Sequence, residues 1–382
     1  MRLEPVEGDA DEVLPRLRAV LAGEGPALGL GMVDAAAADV PDGTAAVITT
    51  SGSTGIPKSV VLSRDALLAS TDATAARIGE GAWLLALPAG YVAGLQVCIR
   101  SLRAGHEPVV MDGRFTPIGF AEATLALPTI SRYTSLVPVQ LSRLLEAAET
   151  DMAVATALRA YAAILVGGQA LPAAVFERAQ EVGAHIVRTY GSTETCGGCV
   201  YDGVPLDGVE LAIVEGELRI AGPTLADGYL GDTELTDRVF VRDATDTRWY
   251  RTGDAGLVDD GVLRIHGRID NVIVSGGVNV SLDRVERVVK DVPDLSGAVV
   301  VGVPDPQWGE ASVIVVARGA AFRRSESMKL DEARRAVGAT LGSPARPARL
   351  VLVDELALLP SGKPDREAIR RAVTAMATTR TD

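Results

Sequence analysis

The sequence predicts an α/β protein: a large N-terminal α/β domain with buried sheets and a small β subdomain, followed by a small α+β C-terminal domain. Three observations carry this. Short uncharged apolar runs, each closed by turn residues, alternate with helical stretches through the first half, as buried parallel strands and their crossover helices do. After about Gly203 the strands become alternating and hairpin-like. At 382 residues and 47% hydrophobic, the chain is long enough for two or three domains and too apolar for wholesale disorder.

The elements follow in order. TAAVITT (44–50) reads as a strand, then a Ser/Gly-rich loop, then a helix from Arg64 to Arg77. WLLALP (83–88) is a short buried strand. Ala82 to Ile99 carries no charge and reaches the length of a spanning helix, but Pro88, Gly90, Gly94 and Gln96 divide it into strand, loop and helix start. YTSLVP (133–138) precedes a helix from Gln140 to Ala148, AAILVGG (162–168) ends in a glycine pair, and AHIVRTYG (184–191) ends in a turn. VELAIVEGELRIAG (209–222) and WYRTGDAGLVDDGVLRIHGR (249–268) alternate, with Asp259-Asp260-Gly261 as a hairpin turn. From Asn271 come a strand, a glycine-rich loop and a helix, Leu282 to Val292; the boundary falls near Arg268 to Asn271.

Composition narrows the function. Acidic residues outnumber basic ones, 50 to 37, and no block of Lys and Arg stands out, which argues against a general nucleic-acid binder. Three cysteines build no disulfide framework, and the acidic N-terminus lacks a signal-like apolar region; the expectation is a cytoplasmic protein without membrane insertion. Cys196 and Cys199 form a CxxC, but a zinc site needs a second ligand pair, and Cys98, His106, His185 and His266 have no such spacing. Small residues lining a pocket are the preferred reading.

Thr49-Thr50-Ser51-Gly52-Ser53-Thr54-Gly55-Ile56-Pro57-Lys58-Ser59 is a phosphate cradle by composition: glycines for tight turns, hydroxyls and a lysine for phosphate oxygens. It is not a Walker A loop, because Pro57 stands where the second glycine belongs and has no N–H to donate. Nor does Gly29-Leu30-Gly31 make a dinucleotide fingerprint, since Asp34 holds the third glycine's place.

This loop resembles the phosphate loop of the adenylate-forming superfamily, which includes acyl-CoA synthetases, with Ser59 in place of a usual glycine. Further motifs resemble the family's in order. Tyr190-Gly191-Ser192-Thr193-Glu194 is similar to the turn that lines the adenine and acyl pocket, with Thr193 at phosphate and Glu194 on Mg²⁺. Gly167-Gly168-Gln169 resembles the segment passing adenine and ribose, and Asp254, in Tyr250-Arg251-Thr252-Gly253-Asp254, the ribose carboxylate. Arg268 and Asp270 resemble the nucleotide-reaching arginine and the hinge pivot. Gly276-Gly277 resembles the turn that admits the pantetheine of coenzyme A, and Lys363, in Pro360-Ser361-Gly362-Lys363, the catalytic lysine. Alone, several are weak: Glu194's turn reads as a helix cap, Asp254 as an ordinary turn residue, Lys363 as a solvated side chain.

The resemblance implies an adenylation domain at 1–267 (phosphate loop 49–59, β subdomain about 203–267), a hinge at 268–271 and a mobile C-terminal lid at 272–382. It implies an AMP-forming acid–thiol ligase using ATP, Mg²⁺ and coenzyme A on a small aromatic carboxylic acid; a homodimer stays open. Ser135 to Leu145 and Glu194 to Gly208 resemble the short o-succinylbenzoate–CoA ligases of menaquinone biosynthesis. Tyr91 stands where many relatives have His, and Arg132 and Arg188 are candidate partners for a second substrate carboxylate. Other readings stay beside this one: another aryl- or acyl-CoA synthetase, a P-loop NTPase, or a non-catalytic nucleotide sensor.

Overall fold

The computed structural model of the chain describes residues 1–32, 39–50, 57–111, 113–318, 326–359 and 364–378. The chain divides into two compact units. The first comprises Met1–Val214, Arg219–Thr252 and Val258–Leu263; the second comprises Glu215–Leu218, Gly253–Leu257 and Arg264–Asp382. The strand Arg248–Asp259 passes from one to the other and back.

Two sheets lie wholly within the first unit. In one, Leu3–Val6, Ala27–Leu30 and Thr44–Thr50 run parallel, Lys58–Ser63 returns antiparallel, and Gly228–Tyr229 closes the edge. The register sets Thr49 opposite Ser59 and Thr50 opposite Lys58. Lys58–Ser63 is a strand beyond the sequence-based expectation, so the Ser/Gly-rich stretch joins two strands of a hairpin before the helix Arg64–Ile78 begins. The strands before Thr44, and the helix Ala10–Leu21 between them, also go beyond it; Pro15 and the charged face of that helix mask a stripe of only Val13, Leu17 and Val20.

The second sheet has seven strands. From Val109–Val110 through Ala82–Leu85, Arg132–Leu136 and Ala163–Val166 to Ile186–Ser192 they run parallel. Gly197–Tyr201 and Val204–Pro205 add an antiparallel edge. Ala163–Val166 is buried at every residue, which is why AILV shows no polar alternation. Helices Pro117–Ala126, Pro138–Ala148, Met152–Arg159 and Ala173–Val182 bury Phe120, Leu141, Leu144, Leu158 and Val175 against strand residues Leu84, Leu136, Ile164 and Val166. Between the two sheets lie Arg64–Ile78 and Val92–Arg103. The uncharged stretch from Ala82 thus resolves into a strand, a turn and a helix. Among the described residues no helix is long and apolar enough to cross a membrane.

The second unit is an α+β fold. Its sheet runs Val278–Ser281, Val272–Ser275, Gly309–Ala317 and Val299–Asp305, with Arg349–Val353 parallel to Gly309–Ala317. The period of two divides its apolar residues between faces. Val300, Ile314 and Val316 meet the helices Leu282–Lys290 and Glu326–Leu341, while Val299, Val301, Val313 and Val315 meet Ile369 and Val373 of Arg366–Thr378.

Candidate functional site

The parallel strands deliver their turns at one edge, where α/β proteins take their ligands. Val166 ends a strand there, and Gly167-Gly168-Gln169 follows. Gly168 has φ +79°, a left-handed conformation suited to glycine. Gly167 has a different reason for its lack of a side chain: a Cβ would stand 2.3 Å from Thr189 Oγ1. Gly191 is likewise pressed by its own sheet, since its Cβ would stand 2.0 Å from the Gly197 carbonyl oxygen.

Tyr190, Gly191 and Ser192 close the strand Ile186–Ser192, and Thr193-Glu194-Thr195 makes one 3₁₀ turn. The turn is held from behind. Thr195 Oγ1 accepts from the Ser192 N–H at 2.9 Å and lies 2.7 Å from the Gly197 carbonyl. Cys196, at φ 52°, donates its N–H to Thr193. The Cys196 carbonyl accepts from Ser70 Oγ and Gln96 Nε2, one from each intersheet helix. The cap reading of the turn is thus partly right: it is a capped turn that also aims a carboxylate.

Glu194 receives the hydroxyl of Tyr229 at 3.0 Å, and the Lys58 ammonium lies 5.7 Å from the centre of the Tyr229 ring. Among the described residues, Ser192 Oγ is buried without a hydrogen-bond partner. The fold therefore brings together Thr50, Lys58, Ser192, Thr193 and Glu194 through strands far apart in sequence. Ser51, Gly52, Ser53, Thr54 and Gly55 lie outside the described residues. The donor set suits a nucleotide-bound Mg²⁺, which takes one or two carboxylates and otherwise phosphate and water oxygens. A metal cage built by protein alone is not supported, because no group of three His, Cys, Asp or Glu is assembled among the described residues.

The remaining candidates of this unit separate. Tyr91 caps the helix Val92–Arg103, half-buried, its phenol pushed above the ordinary tyrosine value by desolvation. Arg188 pairs in register with Val166, beside the glycine turn; it is exposed, bonded to Asp202 at 2.9 Å and stacked on Phe176. Arg132 is at the opposite edge. It begins its strand level with Ala82, and its guanidinium donates to the carbonyls of Leu127 and Pro128 at the end of a helix. The strand direction, which the sequence does not weigh for Arg132, removes it from the glycine and tyrosine turns. Cys196 and Cys199 are fully buried, and burial raises both thiols, Cys199 to about 12, so neither is a thiolate at neutral pH.

In the second unit, Arg268 gathers two of the predicted residues. Its Nε and Nη2 each lie 2.9 Å from an Asp270 oxygen, and its Nη1 lies 3.4 Å from Asp254. Asp283 accepts the Arg268 N–H and the Asn271 amide, both at 2.7 Å, at the start of the helix Leu282–Lys290. Gly276 and Gly277 form the two-residue turn of a hairpin with φ +57° and +81°, as a primed turn requires. Gly276 lies under Trp308, whereas no described residue stands within 4 Å of a Cβ at Gly277. Lys363 lies outside the described residues. Three positions on, Arg366 bonds Glu286 at 2.8 Å. Burial would raise the Glu286 carboxyl, but Arg366 and Lys290 hold it below the ordinary glutamate value. Sequence reasoning passes over Tyr229, Glu286 and Asp283. Asp283 and Glu286 show only as charges in the helix after the glycine-rich loop, and Tyr229 lies in a stretch between the two alternating segments that carries no motif.

The AMP-binding enzyme family matches residues 7–230 and the AMP-binding enzyme C-terminal domain matches 284–363. A probable 2-succinylbenzoate–CoA ligase of Mycobacterium tuberculosis (strain ATCC 25618 / H37Rv) is 38% identical over 377 residues, 94% of each chain. The 2-succinylbenzoate–CoA ligase of Escherichia coli (strain K12) is 36% identical over 70% of this chain and 57% of its own. Among solved structures, o-succinylbenzoate CoA synthetase from Bacillus subtilis in complex with its acyl-adenylate intermediate superposes with TM-score 0.74 at 24% identity, over 96% of this chain and 83% of that one. ATP-bound MatB from Rhodopseudomonas palustris superposes with TM-score 0.76 at 22% identity, over 88% and 70%. A family match over more than half the chain, joined to relatives alike along nearly its whole length, makes this protein a member of the AMP-binding enzyme family.

Proposed function

We propose that the chain is an AMP-forming 2-succinylbenzoate–CoA ligase acting in menaquinone biosynthesis. The carrying observation is the joining of Lys58, Tyr229 and Glu194 beside the Thr50 hairpin and the Tyr190 turn, in a chain 38% identical along 94% of its length to a probable ligase of that name. In the first step a substrate carboxylate oxygen bonds to the α-phosphorus of ATP, and the bond to the β-bridging oxygen breaks. Pyrophosphate leaves and an acyl-adenylate remains. Residues 50–58 would hold the β- and γ-phosphates, Thr193 and Lys363 the α-phosphate region, and Glu194 the Mg²⁺, which when bound neutralises phosphate charge. Tyr190, Gly191, Ser192 and Gly167 to Gln169 would line the adenine and acyl pocket, and Asp254 with Arg268 would take the ribose side.

In the second step the thiol sulfur of coenzyme A bonds to the acyl carbonyl carbon, the carbonyl–AMP bond breaks, and the thiol proton goes to solvent. Gly276 and Gly277 would pass the pantetheine, after rotation about Asp270. No protein nucleophile is needed; positioning and electrostatics supply the rate.

The test is pyrophosphate release over a panel of aromatic and fatty acids, with and without coenzyme A. The reading expects release that depends on 2-succinylbenzoate, AMP as the nucleotide product, and thioester only when coenzyme A is present. ADP as the product, or release indifferent to every acid, overturns it. Preference for another acid with AMP formed would assign a different acyl-CoA synthetase.

A further inference from the structure

Lys58 and Glu194 carry opposite charges on neighbouring elements, yet neither is in an ion pair among the described residues. Tyr229 stands in contact with both. Its hydroxyl donates to Glu194 Oε1 at 3.0 Å, and its ring face receives the Lys58 ammonium at 5.7 Å. The side chain is only 7% exposed, and Phe240 backs its ring at 6.0 Å between centroids, with Tyr250 behind Phe240 at 5.4 Å. The backbone is pinned as well. Tyr229 pairs with Val60 across the sheet edge, donates its N–H to Thr236 Oγ1 at 2.9 Å, and is followed by Leu230 donating to the Ser59 carbonyl.

A direct Lys58–Glu194 pair would be self-defeating. Each group would spend its charge on the other, and both nucleotide phosphate and metal would have to break that pair before binding. A tyrosine between them avoids this. Its hydroxyl occupies one carboxylate oxygen and leaves the second for a cation, while its ring attracts the ammonium only weakly, so a polyphosphate takes the lysine easily. We propose that Tyr229 is a positioning residue that keeps Lys58 and Glu194 apart and fixes the Glu194 carboxylate for the nucleotide's metal ion. The inference rests on the reading of Glu194 as the metal carboxylate.

The experiment uses the full chain and measures ATP affinity by calorimetry in EDTA and in Mg²⁺, with Mn²⁺ bound to the ATP complex followed by electron paramagnetic resonance. Tyr229→Phe keeps the ring and loses the hydroxyl. It should cut the gain in affinity conferred by Mg²⁺ by roughly tenfold and leave affinity in EDTA unchanged, since the bond lost is one to a charged group. Tyr229→Leu removes the ring too and should also weaken ATP in EDTA, because Lys58 then falls onto Glu194. Adding Glu194→Gln to Tyr229→Leu should restore that loss, as the trap is gone. A full Mg²⁺ gain in Tyr229→Phe, when Glu194→Gln alone abolishes it, overturns the role of Tyr229. A full gain in Glu194→Gln itself overturns the reading of Glu194 on which the role rests.

Discussion

Each charged side chain near the glycine turns is defined by what already holds it. Arg188 lies at the carboxyl edge of the parallel strands, and among the described residues its guanidinium is held by an exposed bond to Asp202 and by the Phe176 ring. An exposed ion pair contributes about 0–1 kcal/mol, so a substrate carboxylate can displace Asp202 at small cost. Arg188→Ala is expected to raise KM for 2-succinylbenzoate about tenfold, with little change for benzoates lacking the second carboxylate, a difference of about 1.4 kcal/mol. Steady-state kinetics on the two acids checks this, and an equal effect on both would remove Arg188 from substrate recognition. Arg132 looks equivalent in sequence, because a residue's distance from a strand's end is visible there while the direction of ligand entry is not. Tyr229 shows the reverse: its place between Lys58 and Glu194 arises from pairing between segments some 170 positions apart in the sequence.

The buried strands and the helices after them are legible in the sequence, since continuous apolar runs such as AILV have few other uses. The strand Lys58–Ser63 is not, because KSVVLS sits between a glycine-rich loop and a helix and reads as a continuation of either. Its presence changes the meaning of the loop: a hairpin connection differs from the strand–loop–helix of P-loop proteins. Packing of the antiparallel pair Ile186–Ser192 and Gly197–Tyr201 also explains Gly191. The methyl group of an alanine there would stand 2.0 Å from the Gly197 carbonyl oxygen, so Gly191→Ala must push the pair apart. The expected cost is about 3 kcal/mol, as for overpacking elsewhere. Adenylation should fall with it, because the Glu194 turn hangs on that pair. Thermal melting together with pyrophosphate release measures both, and an unchanged melting temperature would contradict the packing argument.

Across the full chain, the resemblance assigns roles to residues of both units, and composition alone would leave the Arg268 to Asn271 segment as a linker. In the proposed chemistry the two steps draw on different parts of the second unit. Lys363→Ala is expected to lower acyl-adenylate formation at least a hundredfold, through loss of charge at the α-phosphate, and to leave thioester formation from supplied adenylate within a few-fold. Gly277→Leu is expected to do the opposite. The left-handed φ of +81° costs a leucine about 1–2 kcal/mol, but no described residue lies within 4 Å of its Cβ, so a folded variant with a blocked second step should result. Single-turnover assays of each half decide, and equal losses in both halves for either variant would refute the division of labour.

All three cysteines lie in the first unit, each fully buried, and desolvation raises every one of their thiols. An electrophile therefore meets sulfur only when that unit opens, and its rate of uptake times the opening. The second unit can loosen without adding to the signal, so the chain carries a clock that reads one half of itself alone.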